Sequence, residues 1–267
     1  MNSTILMALI ATLGTWFITA LGAATVIFFK KTSDKVMNLM LGFAAGVMIA
    51  ASFWSLLQPA IERAETYLSV PAWLVVSCGF IFGALFMWAS DKAVTYAGRL
   101  NAKTSSSCSE RLNRIILLVF SITLHNIPEG LAVGVAFGAL SQSGHSTEAL
   151  MGAISIAAGI GIQNFPEGAA VSVPLRREGF SRMKCFLIGQ ATALVEPTSG
   201  VIGAALVIHI QTMLPYALAF AAGAMVLVAV HELIPQCQEG REEGSFASTL
   251  GIMGGFAVMM LLDVALG

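Results

Sequence analysis

The chain alternates between long apolar runs and short polar connections. Eight runs stand out, at about residues 5–28, 36–58, 72–90, 114–138, 148–173, 184–209, 214–235 and 246–266. Roughly 20 apolar residues cross a bilayer as an α-helix. The pattern therefore predicts an all-α polytopic membrane protein with eight transmembrane helices, in one domain covering 1–267. No connection is long enough to hold an extramembrane domain. The longest runs from about Asp91 to Asn113 and contains the polar, low-complexity stretch 104–110, so a mobile loop is expected there.

Composition narrows the class. Of 267 residues, 57% are hydrophobic and 11% are charged, against about 25% charged in a soluble domain. So few charges cannot cover a soluble globule, which excludes a cytosolic enzyme, a nucleic-acid binder and a disordered chain. The net charge of −1 names no partner. Cys78, Cys108, Cys185 and Cys237 form no CxxC pair, so neither a disulfide framework nor a thiolate metal site is expected. Met1–Thr4 lacks a basic residue, and a secretory signal peptide is not expected.

The basic residues orient the runs. Lys30, Lys31 and Lys35 fall between runs 1 and 2. Lys92, Arg99, Lys103, Arg111 and Arg114 lie between runs 3 and 4 or at their margins. Arg176, Arg177, Arg182 and Lys184 follow run 5, and Arg241 follows run 7. These are thirteen of the fourteen Lys and Arg; only Arg63 lies on the other side. Cytoplasmic loops carry the excess of Lys and Arg, so both termini are expected outside. Cys108, Cys185 and Cys237 then fall on the reducing side.

Runs 4 and 5 hold the informative chemistry. Run 4 contains His125-Asn126-Ile127-Pro128-Glu129-Gly130, and run 5 contains Gln163-Asn164-Phe165-Pro166-Glu167-Gly168, the same pattern 38 residues later in the opposite orientation. Inverted repeats with Pro- and Gly-interrupted helices mark transporter binding sites. His125 and Glu129 are four apart and share a helix face; Asn126 and Glu129, three apart, nearly do, and Gln163, Asn164 and Glu167 repeat the geometry. Each proline frees a backbone carbonyl and is expected to bend its helix beside the cluster. Glycine after each Glu permits close helix approach. Two such helices facing one another would gather two carboxylates, one imidazole and three amides into a cation cage. Ionisable groups at mid-membrane cost several kcal/mol, or at least ~2.5, unless paired or functional. That makes a purely structural role for the whole set the weaker reading.

Other residues leave alternatives open. Glu196-Pro197 in run 6 completes a second metal position or hydrogen-bonds a neighbouring helix. His231-Glu232 ends run 7 as ligands on a pathway or as a solvated helix end, and the second His of a zincin site is missing. Met48 in run 2 is a soft ligand or simple packing. Glu62 and Asp263 gather cations at the outer mouth or are interfacial solvated acids. His145 and His209 fall at outer ends without pattern. Imidazole with carboxylate and amide oxygens suits Zn²⁺, Fe²⁺, Mn²⁺ and Co²⁺, and the absence of thiolate favours release.

With HNIPEG at 125–130, QNFPEG at 163–168 and Glu-Pro at 196–197, the chain resembles the ZIP family of divalent-metal transporters over its whole length. The Gln-Asn form of the second motif looks most like the GufA-type bacterial branch. The resemblance implies zinc import across a bacterial inner membrane, with Fe²⁺, Mn²⁺, Co²⁺ and Cd²⁺ as further candidates. It implies a 3+2+3 arrangement with runs 1–3 and 6–8 as inverted repeats around runs 4 and 5, and an elevator-like motion of runs 1, 4, 5 and 6. It also implies a binuclear site: one metal at Met48, His125, Glu129, Gln163 and Glu167, the other at Asn126, Glu129, Asn164, Glu167 and Glu196. His231 and Glu232 would line the cytoplasmic route, and Glu62 and Asp263 the entrance. The expected partners are divalent metal ions and the lipid bilayer, without nucleic acid; a homodimer is left open. Two departures stand out. The connection between runs 3 and 4 has no His, and Asn164 replaces an Asp of some relatives, removing a charge from the second metal position. A metal-selective channel and an intramembrane di-metal enzyme use similar ligands and are the alternatives.

Overall fold

The computed structural model describes residues 3–28, 33–102, 107–141, 146–209, 211–238 and 242–266. Among them all regular structure is helical, with no strand. Eight helical stretches follow in order: α1 (Ser3–Phe28), α2 (Asp34–Tyr67), α3 (Ala72–Ala102), α4 (Ser107–Ala139), α5 (Thr147–Arg177), α6 (Arg182–Ala191, then a 3-10 turn at Thr192–Leu194, then Val195–His209), α7 (Leu214–Gln238) and α8 (Glu242–Leu266). Each predicted run lies inside one of them. Among the described residues seven, all but α4, are long and apolar enough to cross a membrane by length and composition. Lys30, Lys31, Lys103, Arg241 and His145 lie outside the described residues, as do the side chains of Arg99, Cys108, Arg111, Arg114, Arg177 and His209.

The long loop expected between runs 3 and 4 is mostly helix. α3 continues to Ala102 and α4 starts at Ser107. Asp91–Ala102 contains no proline and several good helix formers, so the helix has no local reason to stop where the apolar run does. α2 likewise continues past residue 58 to Tyr67, which puts Glu62 on a helix rather than in a connection. α4 and α5 remain helical through Pro128 and Pro166. Around Glu196-Pro197 the 3-10 turn at Thr192–Leu194 absorbs the missing proline donor, tightening the helix just upstream.

The helices pack as four intimate pairs, α1 with α5, α4 with α6, α2 with α8 and α3 with α7, and α1, α4, α5 and α6 also pack among themselves. Small residues make this possible. A Cβ at Gly168 would stand 2.1 Å from the carbonyl oxygen of Thr19 on α1, and one at Gly130 would stand 2.5 Å from that of Glu196 on α6. The final glycine of each motif is thus where its helix touches backbone of the next. Two π-helical turns, Ser52–Leu57 in α2 and Ala229–Leu233 in α7, interrupt the ladders beside Met48 and at His231-Glu232. Such turns often accompany functional sites.

Candidate metal centre

The two motifs meet at the centre of the α1–α4–α5–α6 group. Met48, His125, Asn126, Glu129, Gln163, Asn164, Glu167 and Glu196 are all buried. Gln163 Nε2 donates to Glu129 Oε1 at 2.6 Å, joining α5 to α4. Glu129 and Glu167 present their carboxyl groups to one another. Asn164 Nδ2 donates to Glu196 Oε1 at 2.9 Å, and the Thr15 hydroxyl of α1 donates to the other oxygen, Glu196 Oε2. Among the described residues no lysine or arginine pairs with any of the three glutamates.

Four buried oxygens of this cluster meet no donor: Asn126 Oδ1, Glu129 Oε2, Gln163 Oε1 and Asn164 Oδ1. Buried acceptors are almost always satisfied, and leaving one bare costs ~1–3 kcal/mol. A cation placed among bare oxygens and carboxylates supplies the missing partner. Among the described residues no single point gathers three His, Cys, Asp or Glu side chains.

His125 is not turned wholly to this cluster. Its Nε2 stands 2.7 Å from Glu232 Oε1 on the π-helical turn of α7, and Ser121 Oγ donates to Glu232 Oε2 at 3.2 Å. In a neutral ring the nitrogen bonded to a carboxylate carries the hydrogen, which leaves the lone pair on Nδ1. The structure thus ties Glu232 of α7 directly to the first motif. His231 and Glu232 lie on that π-helical turn, with His231 exposed and Glu232 partly buried.

Two cavities flank the cluster. One, of about 340 Å³, is lined by Ser121, His125, Glu167, His231 and Glu232, and lies toward the end where α3 joins α4 and α7 joins α8. His125 and Glu167, 6% and 7% exposed, are the most accessible members of the cluster, because they form this cavity's inner wall. The other, of about 660 Å³, lies toward the opposite end and contains Glu62, Arg63, Glu148 and Asp263 but no member of the cluster. There Ser55 Oγ donates to both oxygens of Asp263 at 2.7 and 2.8 Å, and Ser155 Oγ donates to Oδ1 at 3.0 Å. Glu62 and Asp263, expected near one mouth, do share one cavity.

Sequence reasoning missed Thr15, Ser55, Ser121 and Ser155. Thr12, Thr15 and Thr19 are all buried on one stripe of α1, and that three-to-four spacing of hydroxyls within an apolar run was the available signal.

The chain is similar to known zinc transporters. The family described as "ZIP Zinc transporter" matches residues 2–113 and 99–263. Zinc transporter ZIP11 of Homo sapiens is 38% identical, covering 100% of this chain and 99% of that protein. Zinc transporter ZIPB of Bordetella bronchiseptica is 36% identical over 93% of this chain and 78% of that protein. Zinc transporter GufA of Myxococcus xanthus is 34% identical over 97% and 98%. The names are those of transporters, not enzymes, which removes the di-metal enzyme alternative. With its apolar helices, its paired motifs and these relatives, the chain is an integral membrane protein that belongs to the ZIP zinc transporter family.

Proposed function

We propose that this protein carries zinc into the cytoplasm through a two-metal cage between α4 and α5, opening to one side at a time. The observation that carries the reading is the buried cage itself. Three carboxylates without a basic partner and four bare oxygens stand where the two motifs meet. Relatives named as zinc transporters support zinc as the cargo. A nitrogen and oxygen donor set suits zinc and exchanges it more readily than thiolates would; Fe²⁺, Mn²⁺, Co²⁺ and Cd²⁺ share that chemistry. One metal is assigned to Met48, His125, Glu129, Gln163 and Glu167, the other to Asn126, Glu129, Asn164, Glu167 and Glu196; among the described residues the three His and Glu members of each set do not converge on one point, so each set must close around its ion.

The proposed topology has eight spans, with α4 as the eighth, in one transporter domain over 1–267. Both termini face outward, and the membrane is a bacterial inner membrane. The packing supports inverted repeats. Exchanging α1 with α6, α2 with α7, α3 with α8 and α4 with α5 turns the α1–α5 pair into α6–α4 and the α2–α8 pair into α7–α3. The same exchange places one π-helical turn on the other's helix.

The cavities support alternating access. The cavity that reaches His125 and Glu167 lies toward the end where the basic connections are expected, which supports reading this state as inward-facing. Metal gathered near Glu62 and Asp263 reaches the cage when the α1–α4–α5–α6 group shifts, and leaves past His231 and Glu232. Flux into liposomes holding only this protein tests the reading. The expected result is zinc uptake that saturates with concentration; liposomes that take up no more zinc than protein-free ones would overturn it.

A further inference from the structure

Close backbone approaches at glycine divide the helices into groups. α1, α4, α5 and α6 are joined to one another in this way, as at Gly22, where a Cβ would stand 2.0 Å from the Phe165 carbonyl oxygen. α2 is joined to α8, as at Gly255, where a Cβ would stand 2.0 Å from the Phe43 carbonyl oxygen, and α3 is joined to α7 through Phe80 and Gly223. Among the described residues, one glycine meets a helix of another group. A Cβ at Gly159 of α5 would stand 2.1 Å from Met259 Sδ and 2.7 Å from Met259 Cε, on α8. Here the neighbour is the end of a flexible side chain, not main chain. Met259 is fully buried, and its thioether fills the notch that the missing side chain leaves.

The notch lies between the outer cavity and the cage. On α5, Ala153 and Ile156 line the outer cavity and Gln163 belongs to the cage; Gly159 falls between them, one turn before Gln163. On α8, Asp263 lines the same cavity and Met259 lies one turn deeper. Asp263 also accepts from Ser155, one turn outward of Gly159. α5 and α8 are thus linked across the seam between their groups at these two levels. We propose that Met259, seated over Gly159, is a positioning residue for transport. It is the catch that holds the α1–α4–α5–α6 group against α8 in the state described, and it must unseat before the outer cavity can reach the cage. The proposal rests on the alternating-access reading above.

The residue types suit a contact that opens and closes. Where main chain meets main chain at a glycine, no side chain can give way, and those contacts stay inside the groups. Methionine is unbranched and has a polarisable thioether, so it can leave a gap and re-enter it without moving backbone. Dispersion contacts are individually small and fall off within about 1 Å of separation. A seated thioether is therefore firm while the helices are in register and contributes nothing once the group has slid.

The test is zinc uptake by cells expressing the full-length protein, where added zinc meets the outer side alone. Met259→Ala empties the notch. More of the protein then waits with its outer side open, and apparent affinity rises with that fraction, so the zinc concentration that half-saturates uptake should fall roughly 3- to 30-fold. General damage to packing would not tighten the response. Gly159→Cys combined with Met259→Cys joins the two helices. A cysteine sulfur at 259 takes the place of Met259 Cγ, 3.8 Å from a Cβ at 159, so a small adjustment brings the pair within disulfide reach. Oxidation should remove two titratable thiols and lower uptake at least ~10-fold, and reduction should restore it; the wild type should be indifferent to both treatments. Half-saturation by Met259→Ala at the wild-type concentration or above it, a cysteine pair that does not close, or a closed pair that transports at its reduced rate would each overturn the catch. Where the reduced pair does not transport, the Met259→Ala curve decides; where Met259→Ala does not fold, the pair decides. Wild-type cells that take up no more zinc than cells without the protein would overturn the transport reading instead, a distinct result.

Discussion

Gly168→Ala is a severe test of how the cage is held. The new methyl would stand 2.1 Å from the Thr19 carbonyl oxygen and 2.8 Å from the Ala23 nitrogen, both main-chain atoms of α1. Ordinary contact begins near 3.4 Å, and no side chain is available to swing away. α1 and α5 must therefore part by roughly 1 Å, and overpacking of this kind costs ~1–3 kcal/mol. For a chain of this size that lowers the melting temperature by about 2–4 °C per kcal/mol. Glu167 is the neighbouring residue, so the separation also moves a cage carboxylate; misplacement by about 1 Å can cost ~100-fold in rate at a catalytic site, and uptake should fall at least ~10-fold. Gly152→Ala on the same helix is the internal control, because a Cβ there meets nothing within 4 Å. It should be neutral or stabilising by ~0.5–1 kcal/mol. Melting in detergent and zinc uptake into liposomes read both effects. If the two variants melt and transport alike, the close α1–α5 contact does not hold the cage.

Three further outcomes follow from the same geometry. Gln163→Leu leaves Glu129 Oε1 without its donor and should lower stability by ~1–3 kcal/mol, with part of the loss recovered on zinc addition, read by melting with and without zinc. Glu232→Ala frees His125 from α7; maximal uptake should drop ~10-fold or more, as expected for a lost charge-assisted bond of ~1.5–3 kcal/mol, while zinc still raises the melting temperature. Asp263→Asn removes an anionic group from the outer cavity, so half-saturation should need several-fold more zinc with maximal rate unchanged, and added salt should shrink the difference, read from uptake at two ionic strengths.

The helices were legible because the hydrophobic runs are long. The two motifs were legible because ionisable residues at mid-run are too costly to stand there without a partner or a task. Helix ends were less legible. Past Asp91 and past residue 58 the chain stays helical after it ceases to be apolar, and membrane hydropathy reports only the second property. The π-helical turns in α2 and α7 leave no composition signature. His125 and Glu232 lie 107 residues apart and Thr15 and Glu196 lie 181 apart, so neither pairing follows from local periodicity. Asn164 read as a lost charge at a metal position; its role as a donor to Glu196 needed the third dimension.

Uptake of radioactive zinc into liposomes reconstituted with equal amounts of wild type, Glu129→Ala or Glu167→Ala, each checked for a folded elution profile and helical content, tests the cage most directly. Saturable uptake is expected for the wild type, and none above protein-free liposomes for either variant. Uptake by folded Glu129→Ala and Glu167→Ala at the wild-type rate would contradict it.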